Sequence, residues 1–544
     1  MDSLPRTGRQ WIALGAAGLA VLAALLASRL CEVAEEDAFI YYRYALNAVH
    51  GLGFAFNPPV RVEGFSSPLW MFLLTGVAGF AQDLHVAARI AGLILGGAAV
   101  GATVLLARTA GLPARASLAS GLCLALNFYF LVWSQSGLET PLYALLLIAA
   151  AGWFLGTEER GPAAPWRRFV GGALFGLAAL GRPEGLLLAV AAALWLVWHR
   201  AFRDALLAWL PGFGLVFGTY VLWRRVYFGA WLPNTSMKVY PLHVDRSVPQ
   251  AIDCVLFLGV LPFVALLAGW LVARRDRGRL ARSLRFLGFA GLLLSFGFHF
   301  LAGGDYRPGF RYLIPGLPLV VVAAFAGLEL CLERTGARRI AGWIATALLA
   351  GACVAPSLAL LAQRVPHWQS LAFGAHCLER SLGGPGSWGV GQAEWIVAHA
   401  PHGAVVAYGQ MGRAPYLASH ERPDLRFIDT VGWVDRRVAS LYGLGGKMRD
   451  LARDLAETGS PAAALELGRE RRTQAFVDLM LACQPDLVLV EPNLEHAGVA
   501  RLASSEAFLR RYRLIAEVGP APLVRAYALA PGAPPRAVAI ESCF

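Results

Sequence analysis

The run "WIALGAAGLAVLAALLASRLC", Trp11 to Cys31, decides the fold class. It holds 21 residues and a single charge, Arg29. About 20 apolar residues in a helix cross the ~30 Å hydrocarbon core of a bilayer. The apolar core of a signal peptide is shorter, about 7–15 residues. Further apolar runs follow, so this one reads as a membrane helix. Composition agrees: 57% of the 544 residues are hydrophobic and 15% are charged, against about 25% charged in a soluble chain. A polytopic α-helical membrane protein is expected.

Working outward from that run, eleven spans are predicted: 11–31, 86–107, 116–134, 140–156, 169–182, 184–198, 205–223, 251–272, 284–301, 311–332 and 340–362. The apolar run 67–81 is too short to cross and reads as an interfacial or re-entrant helix. With it left out, the short Arg-rich segments 1–10, 108–115, 157–168, 199–204, 273–283 and 333–339 all fall on one side. That is the positive-inside pattern, with the amino terminus in the cytoplasm and the carboxyl terminus outside. The net charge of +12 is therefore topological information and calls for no nucleic-acid partner. The split at Gly181–Gly185 matters most, because reading 169–198 as one span inverts everything after it.

From about residue 363 the span-length runs stop. Strand-like runs appear at 404–409, 425–431, 486–491 and 523–530, with helical stretches at 389–400 and 461–483. The expected division is a membrane domain over 1–362, with a long first outer loop at 32–85, and an outer α/β domain over 363–544. The eight Cys show neither CxxC nor metal spacing. Of Cys377, Cys483 and Cys543, one pair is a disulfide candidate, and the sequence leaves the choice open.

Five polar segments face outward on this topology: 32–66, 135–140, the turn at Arg182–Glu184, 224–250 and 302–310. Polar groups beside hydrocarbon are costly, so their gathering on one membrane face is the main functional signal. In the first, Asp37, Tyr41 and Tyr44 share a helix face at i, i+4 and i+7. A carboxylate beside aromatic rings suits a sugar, whereas helix capping by Glu35, Glu36 and Asp37 is the equally weighted structural alternative. Arg224 and Arg225 lie at a span end against the positive-inside trend, with Lys238 following. They are suited to a lipid phosphate or, more plainly, to lipid headgroups. Asp305, Arg307 and Arg311 crowd the fifth segment, and Arg182 and Glu184 flank Pro183. No nucleotide-binding, serine-hydrolase or zinc-protease motif is present.

These segments carry a resemblance. "EDAFIYYRY" (36–44), "GLGFAFNPPVRVEGFSSPLW" (51–70), "SGLETPLY" (136–143), "GRPEGL" (181–186), "LPNTSMK" (232–238), "GGDYRPGFRYLIP" (303–315) and "IDTVGWVD" (428–435) resemble GT-C glycosyltransferases. They are most similar to the group containing the mycobacterial terminal β-(1→2) arabinofuranosyltransferase. The resemblance implies a cell-envelope enzyme of the bacterial cytoplasmic membrane. It would pass a sugar, with arabinofuranose the suggested one, from a polyprenyl-phosphate donor to a glycan, lipid or protein acceptor outside the membrane. It also implies an acid of the first outer loop as general base. Such enzymes usually show Asp-Asp where this chain has Glu36-Asp37, so Asp37 is assigned as base and Glu36 as its partner or positioner. Substrate-binding candidates are Tyr41, Arg43, Tyr44, Glu63, Glu139, Arg182, Glu184, Arg224, Arg225, Asn234, Lys238, Asp305 and Arg311. An inverting transfer needs a base at the acceptor hydroxyl and a cation at the leaving phosphate. Asp37 supplies the first, and Arg224 and Arg225 with Lys238 or Arg311 supply the second. A metal is not required, although Glu36, Asp37, Glu139 and Asp305 are of the kind that holds Mg²⁺ or Mn²⁺. In the outer domain, Trp388, Trp395, Trp433 and Tyr408 are candidates for stacking on sugars, with a core role the commoner one. The competing classes are a lipid-linked-sugar flippase, which needs polar groups along the spans, and a non-catalytic scaffold.

Overall fold

The computed structural model describes residues 6–29, 34–158, 164–198, 202–235, 244–305, 309–336, 339–364, 389–442, 444–491, 497–518 and 524–533, together with Arg536, Val538 and Cys543. The chain is a multi-pass helical membrane protein with a carboxyl-terminal sheet domain. Its first nine helices are α1 (Arg6–Arg29), α2 (Glu36–Val49), α3 (Pro68–Ala78), α4 (Leu84–Thr109), α5 (Ala114–Ala125), α6 (Phe128–Ser134), α7 (Thr140–Glu158), α8 (Pro165–Gly181) and α9 (Gly185–Trp198).

Among the described residues, seven helices are long and apolar enough to cross a membrane, or nine if each of two bent pairs counts as one span. The bends correct two of the straight spans expected above. The run 116–134 breaks by 62° between α5 and α6, where the Asn127 side chain accepts a hydrogen bond from the Phe130 amide at 2.9 Å and starts a new helix. The run 251–272 breaks by 91° between Asp245–Leu258 and Val260–Ala273. Gly259 stands between them at φ +77°, a conformation open to glycine and closed to most side chains. The remaining two expected spans, 169–182 and 184–198, are α8 and α9, of 17 and 14 residues. A helix of 14 residues rises only about 21 Å, so length does not make α9 a full crossing. The run 67–81 contains α3, of 11 residues, too short to cross.

The two groups of loops separate to opposite ends of the bundle. At one end Arg279 donates to the Thr109 carbonyl at 3.0 Å, and Arg115 pairs with Glu329 at 2.6 Å. These belong to the Arg-rich loops. At the other end the polar segments meet one another and the sheet domain.

That domain has five strands in the order β2-β1-β3-β5-β4, where β1 is Val405–Tyr408, β2 Arg426–Asp429, β3 Leu487–Val490, β4 Tyr512–Val518 and β5 Val524–Leu529. The strands β2, β1 and β3 are parallel, and β5 and β4 add antiparallel. Alternate residues point to opposite faces. Val406, Tyr408 and Phe427 join the same apolar core as the bundle helices. Val405, Ala407 and Ile428 pack with Phe476 and Met480 on the other face. Four of these strands were expected, and both expected helices appear as Val390–His399 and Pro461–Cys483. Of the cysteine pairings left open, Cys483–Cys543 is the disulfide.

The first loop completes the sheet. β2 is an edge strand, and edge strands leave peptide groups unpaired. The Asn57 amide fills that edge: its Nδ2 donates to the Phe427 carbonyl at 2.7 Å and its Oδ1 accepts from the Phe427 amide at 3.0 Å. Removing it with Asn57→Ala leaves both buried groups unpaired, at a cost of about 1–3 kcal/mol each in the limit. Faster cleavage near β2 in limited proteolysis, with transfer activity measured alongside, is the expected readout.

Candidate active site at the sheet end

The helix α2 lies at the centre, and its two faces have different tasks. Acids in its first turn and a run of Ala, Phe, Ile and Tyr behind them give an amphipathic helix whose residues Ala38 to Ala45 are all buried. Glu35 occupies the N-cap position and makes no side-chain cap hydrogen bond, whereas Glu36 and Asp37 lie in the first turn, where the helix dipole favours acids.

One face, Glu36, Phe39 and Arg43, docks on the sheet domain. The Glu36 carboxylate accepts from the amides of Gly412 and Arg413 at 2.9 and 3.0 Å. It thereby caps the helix Arg413–Glu421 rather than its own. Arg43 donates to the Phe56 and Pro415 carbonyls at 2.8 and 3.1 Å and to the Ser419 hydroxyl. Its guanidinium sits 4.3 Å over the Phe56 ring and 5.0 Å from the Phe427 ring. Burial pushes Arg43 down to about 9. The place of Arg43 is therefore between two domains, held by carbonyls and rings.

The other face, Asp37, Tyr41 and Tyr44, turns to two ion clusters. In the first, Asp37 Oδ2 is 3.0 Å from Arg311 Nη1, and Asp305 Oδ2 is 3.4 Å from Arg311 Nε. Arg311 Nη2 also reaches the Tyr312 hydroxyl at 3.2 Å. Asp37 is 26% exposed, whereas Asp305 and Arg311 are 2% and 9%. Asp37 is thus the accessible carboxylate of a mostly buried set. Beyond Tyr312 stands Arg182, its guanidinium 5.6 Å from that ring and 2.7 Å from each of Glu139 and Glu184. Burial, and then the charge of Glu139, raise the Tyr41 hydroxyl well above its usual range. That hydroxyl accepts from the amides of Ser66 and Ser67 at 3.3 and 3.0 Å. Tyr312 was not singled out from sequence; its place directly after Arg311 in "GFRYLIP" was the available signal.

In the second cluster, buried Glu63 accepts from the Tyr220 hydroxyl at 2.6 Å and pairs with Arg224. Burial raises the Glu63 carboxyl above its ordinary value and Arg224 opposes that rise. Tyr44 braces this loop, donating to the Val62 carbonyl at 2.6 Å and accepting from the Gly64 amide at 3.1 Å. The structure therefore groups Asp37, Tyr41, Glu139, Arg182, Glu184, Asp305 and Arg311, and sets Glu63 with Arg224 apart from them. Exposed Arg225 donates to the Gly229 carbonyl at 3.0 Å, beside the Trp231 ring. Lys238, Arg307 and Trp388 lie outside the described residues. The four acids named for a divalent metal do not converge. Glu36 faces Gly412, Glu139 sits on Arg182, and Asp37 and Asp305 share Arg311. Among the described residues no three His, Cys, Asp or Glu come together as a metal set.

Asn234 ties the loop after the second cluster to the sheet domain, donating to the carbonyls of Gly432, Trp433 and Asp435 at 2.9, 3.0 and 3.2 Å. The Asp429 carboxylate holds the same turn by accepting from the amides of Val431, Gly432 and Val434, each at 2.8 Å. Of the aromatics offered as sugar platforms, Tyr408 is fully buried, and Trp395 stacks on His399 at 4.6 Å. Burial pushes the Asp435 carboxyl up to about 7, a rise that the amide of Val438 partly opposes. The folded state therefore holds a proton on Asp435 that the unfolded chain releases near pH 4. Its contribution to stability is full below that pH and is lost as pH rises through about 7. Asp435→Asn is expected to flatten the decline in unfolding temperature between pH 5 and pH 8, measured by a thermal scan at each pH.

No protein-family model matches the chain, and no curated protein matches it in sequence. Solved structures do. The archaeal oligosaccharyltransferase AglB from Archaeoglobus fulgidus, in complex with an inhibitory peptide and a dolichol-phosphate, aligns at a TM-score of 0.52 and 16% identity, over 98% of this chain and 75% of that one. ArnT from Cupriavidus metallidurans in the apo state aligns at 0.50 and 15% identity, over 96% and 98%. The arabinofuranosyltransferase AftD from Mycobacteria aligns at 0.48 and 16% identity, over 96% of this chain and 41% of its own, too slight a likeness to bear on the sugar. The chain therefore shares its fold, a helical membrane bundle with a carboxyl-terminal sheet domain, with AglB and ArnT.

Proposed function

We propose that this protein is a membrane glycosyltransferase that moves a sugar from a polyprenyl-phosphate donor to an acceptor at the sheet end of the bundle. The observation that carries the reading is the half-buried carboxylate of Asp37, the accessible acid of its cluster, held 3.0 Å from the buried Arg311. One group is placed to take a proton and the other to meet a leaving phosphate.

Arg311 is shared between Asp37, Asp305 and Tyr312. A donor phosphate that takes one arm of the guanidinium frees Asp37 to face the acceptor hydroxyl. That hydroxyl attacks the anomeric carbon as its proton passes to Asp37. The bond from carbon to phosphate oxygen breaks, and the electron pair leaves on the phosphate beside Arg311. A single displacement of this kind inverts the anomeric centre. Arg224 has a different task, because its partner Glu63 is buried and held by Tyr220 as well, and so is not free to turn aside as half-buried Asp37 is. Arabinofuranose as the sugar, a glycan as acceptor, the bacterial cytoplasmic membrane as location and an extracytoplasmic sheet domain extend the same reading. The motif resemblance and the Arg-rich loops at the opposite end support them.

The flippase alternative calls for a polar route along the spans. Three span hydroxyls instead bond back to their own helices: Thr103 to the Ala99 carbonyl, Ser120 to that of Ala116 and Thr346 to that of Gly342, each at 2.8 Å. The test is transfer of labelled sugar by the purified full-length protein in nanodiscs, offered a panel of polyprenyl-phosphate sugars. Product with inverted anomeric configuration is expected. Absence of product with every donor, combined with movement of lipid-linked sugar across vesicles, would overturn the assignment.

A further inference from the structure

Four buried oxygens, on the two glutamates paired with Arg182 and on the first turn of α7, take no hydrogen bond among the described residues. They are Oε2 of Glu139, Oε2 of Glu184, Oγ1 of Thr140 and the Tyr143 hydroxyl. Their residues are 3%, 5%, 0% and 2% exposed. Glu139 and Tyr143 stand one helical turn apart at the start of α7. Glu184 comes from the turn joining α8 to α9. Buried polar atoms almost always have partners, so four orphans in one place call for something that supplies them.

The chemistry of the four narrows what that is. Each glutamate spends its other oxygen on Arg182 at 2.7 Å. Two carboxylates on one guanidinium leave one negative charge in surplus, and their outer oxygens only accept. Both carboxylates are buried, unlike Asp37 beside Arg311, so neither has room to turn aside for an anion. A divalent metal is disfavoured by the guanidinium held between the two carboxylates, and among the described residues no third acidic, His or Cys side chain joins them. A neutral molecule with several hydroxyls suits the set, since each hydroxyl donates to a carboxylate or exchanges bonds with Thr140 and Tyr143. Tyr143 and Tyr312 add aromatic rings 6.0 and 5.6 Å from the Arg182 guanidinium. Tyr312 also touches Arg311, the partner of Asp37.

We infer that Glu139, Thr140, Tyr143 and Glu184 form the subsite that reads the hydroxyls of the transferred sugar. Thr140 and Tyr143 are the specificity-determining members. This rests on the glycosyltransferase reading and locates the sugar relative to the phosphate at Arg311.

The test compares binding of two ligands, polyprenyl phosphate alone and polyprenyl-phosphate arabinofuranose, to full-length protein in nanodiscs. Tyr143→Phe and Thr140→Val each delete one hydroxyl and keep the shape. Loss of a hydrogen bond inside a dry site is expected to weaken the sugar-bearing ligand about tenfold, with the bare phosphate carrier unchanged in either variant. Equal weakening of both ligands points to a structural role, and no weakening of either points to buried water alone; either result overturns the subsite. Wild-type protein that binds bare carrier but gains nothing from the sugar overturns it as well. Wild-type protein that binds neither carrier overturns the glycosyltransferase reading itself.

Discussion

Asp37→Asn is expected to lower the rate of sugar transfer by about 10²–10⁴-fold, the contribution of a positioned general base. The substitution keeps the size of the side chain and its capacity to accept from Arg311 at the 3.0 Å contact. It removes only the ability to take the acceptor proton. Asp37 is the most exposed member of its cluster, so little stability depends on it, and the variant should unfold at nearly the wild-type temperature. Single-turnover transfer from labelled donor isolates the chemical step. Donor binding is expected to hold, because Arg311 keeps Asp305 and Tyr312 as partners. An unchanged rate in a folded Asp37→Asn protein would remove Asp37 as base and move attention to Asp305 on the same guanidinium.

Glu63→Ala is expected to destabilise the protein by about 3–5 kcal/mol, the range for stripping one partner from a buried ion pair. Glu63 is 2% exposed and the Arg224 side chain 8%. The loss strands a guanidinium beside hydrocarbon and leaves the Tyr220 hydroxyl without its acceptor. Much of the effect should be a penalty for the charge left behind and not the worth of the pair. The double variant Glu63→Ala/Arg224→Met is therefore expected to recover most of the lost unfolding temperature. Thermal unfolding of the two variants decides it: equal losses in both would mean that packing, and not charge, governs this cluster.

The fold was legible where hydropathy and spacing carry direct physical meaning. Apolar runs marked the bundle helices, and short β-rich runs marked β1, β2, β3 and β5. The two bends were hidden because hydropathy has no direction: Gly259 looks like any packing glycine until its φ is seen. β4 was missed because it is an edge strand buried only at its ends, Tyr512 and Val518, with Leu514 and Ile515 about half exposed between them. The site was half legible. Topology alone put Asp37, Arg182 and Asp305 on one face, and the structure joins them through Arg311 and Tyr312. It could not tell Arg224, whose partner Glu63 is buried, from Arg311. Nor could it show what Glu36 and Arg43 hold, because their partners lie more than 370 positions along the chain.

That separation sets an order of assembly. Synthesis runs from the amino terminus, and domains settle as they emerge. The first loop is made early, but Gly412 for Glu36, Ser419 for Arg43 and Phe427 for Asn57 are made late. The Glu36, Phe39 and Arg43 face of the helix that carries Asp37 therefore has nothing to dock against until the sheet domain is made. A nascent or truncated chain would hold its membrane helices and the Asp37 carboxylate without the wall that fixes them. On the proposed function, competence to transfer sugar arrives only once the sheet domain has been made, so that domain gates the reactivity of a helix made long before it.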